Sequence, residues 1–217
     1  MKIVTVTSPA EKESIYRFRY DVNVRECGKT FPGIDHRREI IIDEADRYGT
    51  LLAAYTAGDT PVLVGSARVI IGSEAGFGDL ATLYRMHAAG PCFPHQCSIT
   101  SRLVVQADYR CSTLLGRLAV AAYRQGASAG VRMNYIHCRA ENYRLFKKMG
   151  YRSHMPPLHD PVLGLIYPMV LLLADGAHFD ALSSPFRKLW KQYYSKSESP
   201  ADYEECFRTA LRDNVCV

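Results

Sequence analysis

Two short runs concentrate the groups that could do chemistry. The first is Asp43-Glu44-Ala45-Asp46, with aspartates three residues apart. Carboxylates placed so beside a buried amine would draw it in as ammonium and could help remove a proton. A polar turn between strands is the alternative, and it is the preferred reading for Glu44. The second run is the polar turn 106–112, which follows an apolar strand and precedes an amphipathic helix. Backbone N–H groups at such a helix start face any phosphate lying there, and Arg110 would reinforce the pull on an anion. A plain crossover with a surface arginine is the alternative. Cys111 sits beside Arg110 before the helix, a setting that lowers a thiol pKa. No histidine accompanies it in the motif, so it reads as a bystander more than a nucleophile.

Arg68 lies in Gly65-Ser66-Ala67-Arg68-Val69-Ile70. An arginine flanked by apolar strand residues is half buried and needs an anionic partner, which Asp43 or Asp46 would supply. A purely structural ion pair is then the rival to a functional role. Cys92, His95 and Cys97 lie close together, but no second ligand pair of the zinc type follows them, and no metal site is expected. His87 and His95 read as surface or pocket-lining residues.

The elements that position these groups follow from periodicity and punctuation. Residues 3–6 alternate as a strand, and Pro9, Glu11 and Glu13 open a helix to about residue 24. Gly28, Pro32 and Gly33 mark a loop over 27–38, after which Ile40-Ile41-Ile42 leads into the aspartates. Residues 51–56 and 62–71 form a hairpin about Gly58-Asp59-Thr60-Pro61. Residues 72–96 read as a loop with one short helix over 80–87. A strand over 99–105, the turn, a helix over 113–128 and a strand over 133–138 come next. In that helix Ser112 or Thr113 caps the start, and Leu115, Leu118, Ala119 and Ala122 share a face. A helix over 141–149 closes at Gly150-Tyr151, a loop covers 155–160, and a strand covers 163–173. Two helices, 186–194 and 200–212, form an aromatic and basic C-terminal pair, with a docking surface for a carrier protein or tRNA as the alternative.

Composition narrows the class. The 217 residues are 47% hydrophobic and 23% charged, as in soluble globular proteins. No apolar run approaches the roughly 20 residues of a membrane span, and the N-terminus lacks a signal peptide's layout. A cytoplasmic protein with reduced thiols is expected, with no membrane partner. The net charge of +5 suits an anionic partner. No nucleic-acid motif appears.

The order of strand, Asp108-Tyr109-Arg110 turn, helix, strand and Glu141-Asn142-Tyr143-Arg144-Leu145-Phe146-Lys147-Lys148-Met149-Gly150-Tyr151 resembles the acyl-CoA-binding half of the GNAT N-acyltransferase superfamily. The resemblance implies that Leu103-Val104-Val105 offer backbone to a pantetheine arm. It also implies that Arg110, Cys111, Ser112 and Thr113 wrap the donor's phosphates and that Asn142 belongs to the donor site. Cys111-Ser112-Thr113 stand where that turn carries glycines, and Phe146 stands where many members place a tyrosine acid.

A second resemblance covers Arg19-Tyr20-Asp21-Val22, Asp43-x-x-Asp46, Gly65-Ser66-Ala67-Arg68 and Ser101-Arg102-x-x-Val105. These are similar to acyl-homoserine-lactone synthases and long-chain N-acyl amino acid synthases. The likeness implies Arg19, Arg68 and Arg102 as substrate-binding cleft arginines, with Arg102, Asp43 and Asp46 as the catalytic set. For Arg102 a structural ion pair is the alternative. Two positions differ: Ile99 replaces a family glutamate, and Asn23-Val24 replace an aromatic.

The expectation is an α/β GNAT fold: a mixed, mostly antiparallel sheet flanked by helices, with two strands splaying where Val104 and Cys138 end. Residues 1–175 would form the transferase domain and 176–217 a helical extension. The implied reaction moves an acyl group from an acyl carrier protein or acyl-CoA thioester to the amine of an amino acid or a relative, with no permanently bound cofactor. Alternatives are a transferase using aminoacyl-tRNA, a lactone-forming signal synthase using S-adenosylmethionine, and a non-catalytic GNAT-like binding module.

Overall fold

The computed structural model of the chain describes residues 1–195 apart from 31, 32, 73 and 111. Its strands form one eight-stranded sheet and a two-residue-deep hairpin. Strand β1 spans Lys2–Val6, β4 Thr50–Tyr55, β5 Leu63–Ile71, β6 Cys97–Val105, β7 Met133–Arg139, β8 Arg152–Ser153, β9 Leu158–Asp160 and β10 Gly164–Leu172. The hairpin joins β2 (Ile34–Asp35) to β3 (Ile40–Ile41). The sheet order is β1-β4-β5-β6-β7-β10-β8, with β9 also on β10. The β1–β4, β4–β5, β7–β10, β8–β10 and β9–β10 pairs are antiparallel, and β6–β7 is parallel. This is the GNAT fold, as expected. The described residues divide into two compact units, Met1–Val69 with Thr100–Ala122, and Ile70–Ile99 with those from Tyr123 onward.

In the first unit, helix α1 (Pro9–Tyr20) starts at a reciprocal cap. The Ser8 hydroxyl accepts from the Glu11 amide at 3.2 Å, and the Ser8 amide donates to the Glu11 carboxylate at 3.3 Å. Two orphan donors of the first turn are thereby satisfied. Ile15 and Tyr16 of α1 pack with Val6, Ile40, Leu51 and Ala53, while Phe18 packs with Val104. Each fully buried aliphatic side chain contributes roughly 1.5–3 kcal/mol. The helix does not fray at its end but continues as a wider π-helical stretch, Asp21–Glu26, within which Val22 joins the Phe18–Val104 cluster. Helix α4 (Leu114–Ser128) buries Leu114 and Leu118. Leu115 is only half-buried, so the apolar stripe begins one residue earlier than its spacing suggested. Ser112 secures the start by accepting from the Leu114 amide at 3.1 Å.

In the second unit, 72–96 holds more structure than one helix. It contains α2 (Glu74–Phe77), α3 (Asp79–Leu83) and a 3-10 stretch, Met86–Cys92. Segments as short as these carry too few turns to show a period. The loop expected over 155–160 contributes β9. Helix α5 (Ala140–Met149) ends at Gly150, whose φ of 115° favours glycine. The Tyr151 amide returns to Phe146 O at 3.0 Å and completes the stop. Helices α6 (Gly176–Ala181) and α7 (Arg187–Tyr193) follow, and Phe186 stacks on Tyr123 with ring centroids 4.8 Å apart. The helix expected over 200–212 lies outside the described residues.

The parallel register of β6 on β7 covers Cys97↔Met133, Ser98↔Asn134 and Ile99↔Tyr135. Beyond Ile99, β6 passes through Arg102, whose φ is 52°. A non-glycine residue there breaks the regular pleat and re-aims its side chain.

Candidate active site

Arg19, Asp43, Asp46, Arg68 and Arg102 come together in the first unit as one ion network. Arg19 projects from α1 and is fully buried. Its Nη1 donates to both carboxylate oxygens of Asp46 at 2.9 Å, and its guanidinium carbon lies 5.5 Å from the Tyr16 ring centroid. Arg19 Nε and Nη2 are buried with no hydrogen-bond partner among the described residues. Burial pulls the Arg19 pKa down while Asp46 opposes that shift.

The Asp-x-x-Asp spacing has a local cause. Asp43 is the cap of a 3-10 turn, Glu44–Arg47, and its amide donates to Asp46 Oδ2 at 3.0 Å. The cap turns both carboxylates toward Arg68 of β5, which contacts Asp46 Oδ1 at 3.1 Å and also pairs with Asp43. Arg68 therefore has both of the partners its apolar surroundings called for. Its Nε donates to Ser101 Oγ at 3.1 Å. Gly49 makes room for it, because a Cβ there would stand 2.5 Å from Arg68 Cγ.

Arg102 completes the network, its Nη2 reaching Asp43 Oδ2 at 2.5 Å and its Nε at 3.2 Å. Exposure is graded across the set. The Arg19, Asp46 and Arg68 side chains are sealed, whereas Asp43 is 31% and Arg102 26% exposed. Burial pushes the Asp43 carboxyl up, but Arg68 and then Arg102 outweigh it and hold the pKa at about 2. At neutral pH Asp43 is a fixed anion and a weak base, suited to attracting an ammonium rather than taking its proton. Among these five residues, three cations face two carboxylates.

The turn after β6 is also in the first unit. Arg110 Nε donates to Val105 O at 3.1 Å, and Arg110 Nη2 donates to Glu26 Oε2 at 2.7 Å. Val104 and Val105 are buried and Leu103 half-buried. Ser112 hydrogen-bonds Tyr109 O, Thr113 is exposed, and Cys111 lies outside the described residues. Asn142 sits half-buried near the start of α5, in the second unit.

Sequence reasoning missed Ser101, Tyr16 and Glu26 around these groups, and a polar cluster in the second unit. There the buried Tyr84 hydroxyl hydrogen-bonds His137 Nδ1, and His154 Nε2–H donates to Tyr84 O at 2.5 Å. The Tyr135 ring lies parallel to Tyr84 at 6.3 Å and edge-on to His154 at 5.2 Å. A usable signal for Tyr135 and His137 was their i, i+2 spacing on one strand face. Cys138 is buried, and desolvation with Glu141 pushes its thiol up to about 12, so it stays protonated. His87 packs its ring 4.3 Å from Phe93 at the surface. Among the described residues, no cluster of three metal-ligating side chains forms.

Comparison with known proteins fits this architecture. Residues 18–120 match the model of the acetyltransferase (GNAT) domain. Among curated proteins none matches. Solved structures do. MesI, a CoA-dependent acyl-homoserine lactone synthase, superposes with a TM-score of 0.61 at 18% identity over 91% of this chain and 97% of its own. FeeM, an N-acyl amino acid synthase from uncultured soil microbes, gives 0.62 at 11% identity over 87% and 97%. BjaI, a CoA-dependent acyl-homoserine lactone synthase solved with SAM and isopentyl-CoA, gives 0.58 at 17% identity over 99% and 98%. Residues 18–120 thus match a GNAT acetyltransferase domain, and the chain shares the GNAT fold of these structures.

Proposed function

We propose that the protein transfers an acyl group from a thioester donor, on an acyl carrier protein or coenzyme A, to the amine of an amino acid or a close relative. The observation that carries this reading is the rim of the ion network. Asp43 and Arg102 stand side by side at the half-exposed edge of an otherwise sealed cluster. An amino acid is a zwitterion, and its ammonium and carboxylate complement such a pair head to tail. Arg19, Asp46 and Arg68 hold the rim rigid, so the acceptor meets charges already oriented.

The acceptor must attack as neutral amine. Because Asp43 is a weak base, the ammonium proton of the acceptor passes to solvent water. Attack on the thioester carbon forms a tetrahedral oxyanion, and backbone N–H groups of β6 would stabilise it. The nitrogen of that intermediate gives up a second proton to water, and collapse expels a thiolate. Phe146 is buried and cannot protonate that thiolate, so it leaves unaided or takes a proton from water. Leu103–Val105 would lend backbone to the pantetheine arm. At Ile99, where the lactone-synthase likeness expected a carboxylate, the side chain is fully buried and apolar. An open-chain amide product is therefore favoured over lactone formation.

The test supplies acyl-CoA, acyl carrier protein and aminoacyl-tRNA separately as donors, each with mixed amino acids and with S-adenosylmethionine, and follows product mass. An N-acyl amino acid from a thioester donor is expected. Turnover with aminoacyl-tRNA alone, a lactone from S-adenosylmethionine, or no product with any donor would each overturn the reading, the last in favour of a binding module. Arg102→Ala should lower turnover about a hundredfold, on the scale of a lost charged hydrogen bond, while the chain stays folded. Unchanged turnover would reduce Arg102 to scaffold.

A further inference from the structure

The turn between β6 and α4 already holds an anion, and it is part of the chain. Glu26 Oε2 accepts from the backbone amide of Ala107 at 3.2 Å and from Arg110 Nη2 at 2.7 Å. An amide and a guanidinium are the two kinds of donor that grip a phosphate at such a turn. Arg110 makes two further contacts, Nε donating to Val105 O at 3.1 Å and Nη2 to Cys27 Sγ at 3.4 Å.

Delivery of Glu26 to this position depends on the helix before it. Had α1 ended at Tyr20, the chain would have left the helical path six residues too early. The π-helical continuation Asp21–Glu26 carries the acid to the turn, and Val22 anchors that stretch against Phe18 and Val104. The contact joins residues 81 and 84 positions apart in sequence. It is therefore a tertiary arrangement rather than a local turn.

We propose that Glu26 selects the acyl donor. Its carboxylate occupies the donors that a pyrophosphate would require, so a thioester is disfavoured in proportion to the negative charge it brings to this turn. Coenzyme A, with its pyrophosphate, is penalised most. A pantetheine arm on a single phosphodiester is penalised less, and a phosphate-free pantetheine thioester is not penalised. This rests on the acyltransferase reading for its biological meaning, but the competition itself is a binding property.

The experiment measures calorimetric binding of coenzyme A and of pantetheine to the wild-type protein, Glu26→Gln and Glu26→Gln/Arg110→Met. Glutamine keeps the shape and an acceptor oxygen while removing the charge. Glu26→Gln should bind coenzyme A about tenfold more tightly, the scale of one charged hydrogen bond, with pantetheine unchanged. The double variant should lose that gain. Coenzyme A affinity that is unchanged or weaker in Glu26→Gln overturns the proposal. So does equal tightening toward both ligands, or no binding of coenzyme A by either protein. Turnover separates the two readings: tighter coenzyme A binding without any acyl transfer would leave selection standing and remove the acylation, and the reverse pattern would do the opposite.

Discussion

The two units differ in how their most buried polar groups are satisfied. The first gathers three arginines and two aspartates into a charged network graded from full burial at Arg19 to partial exposure at Asp43 and Arg102. The second has a partly exposed ion pair, Arg152 with Asp175, but fills its buried positions with neutral chains. Tyr151 OH donates to Asn134 Oδ1 at 2.8 Å, and Asn134 Nδ2 donates to Ser98 Oγ at 2.8 Å, all of it buried. Tyr84, His137 and His154 add a second hydrogen-bonded set. A neutral network costs little desolvation and specifies packing. A charged one stands on a narrow balance between desolvation and attraction. The contrast agrees with the proposal that an ionic acceptor is met in the first unit.

Substitution at the centre of each network sharpens that contrast. Asp46→Asn leaves Arg19 and Arg68 without their shared counter-ion and should destabilise the protein by about 3–5 kcal/mol, read as a fall in urea midpoint. A loss below about 1 kcal/mol would show that water already screens the cluster. Asn134→Leu strands the Tyr151 and Ser98 hydroxyls and should cost about 1–3 kcal/mol in thermal unfolding. Once corrected for folded fraction, donor and acceptor affinities should hold; a specific loss of either would break the division of labour.

Acid separates the units with a smaller effect. The Asp43 pKa is depressed from 3.8 to about 2, so its contribution is complete above 3.8 and disappears as pH falls toward 2. It amounts to at most about 2 kcal/mol for a partly exposed carboxylate. His154 is depressed below its ordinary value near 6.5, chiefly by burial. The folded state holds it neutral, and stability is lost as pH falls below 6.5. Hydrogen exchange should then show amides around His154 losing protection by pH 5, while those around Asp43 hold until below pH 4. The opposite order would reverse the assignment of the titrating groups.

The charged network was the more legible of the two in the amino-acid sequence. An arginine between apolar strand residues demands a counter-ion, and Asp43-x-x-Asp46 was the nearby supply. The stop at Gly150-Tyr151 was equally plain, because positive φ and a following aromatic leave a local signature. The hydrogen-bonded chains of the second unit were hidden because Asn134, Tyr84 and His137 look ordinary singly and their partners lie far along the chain. Short pieces such as α2, α3 and β9 carry no readable period. The π-helical continuation of α1 was invisible for a related reason: its apolar spacing imitates the helix it extends.

That continuation has a further consequence. In an α-helix each residue turns the chain by about 100°. Deleting a single residue between Asp21 and Glu26 would let ordinary winding resume and swing the acid around the axis, away from Arg110. Descendants of this chain could thus switch which activated acid they accept through a change of length, with every surrounding side chain kept.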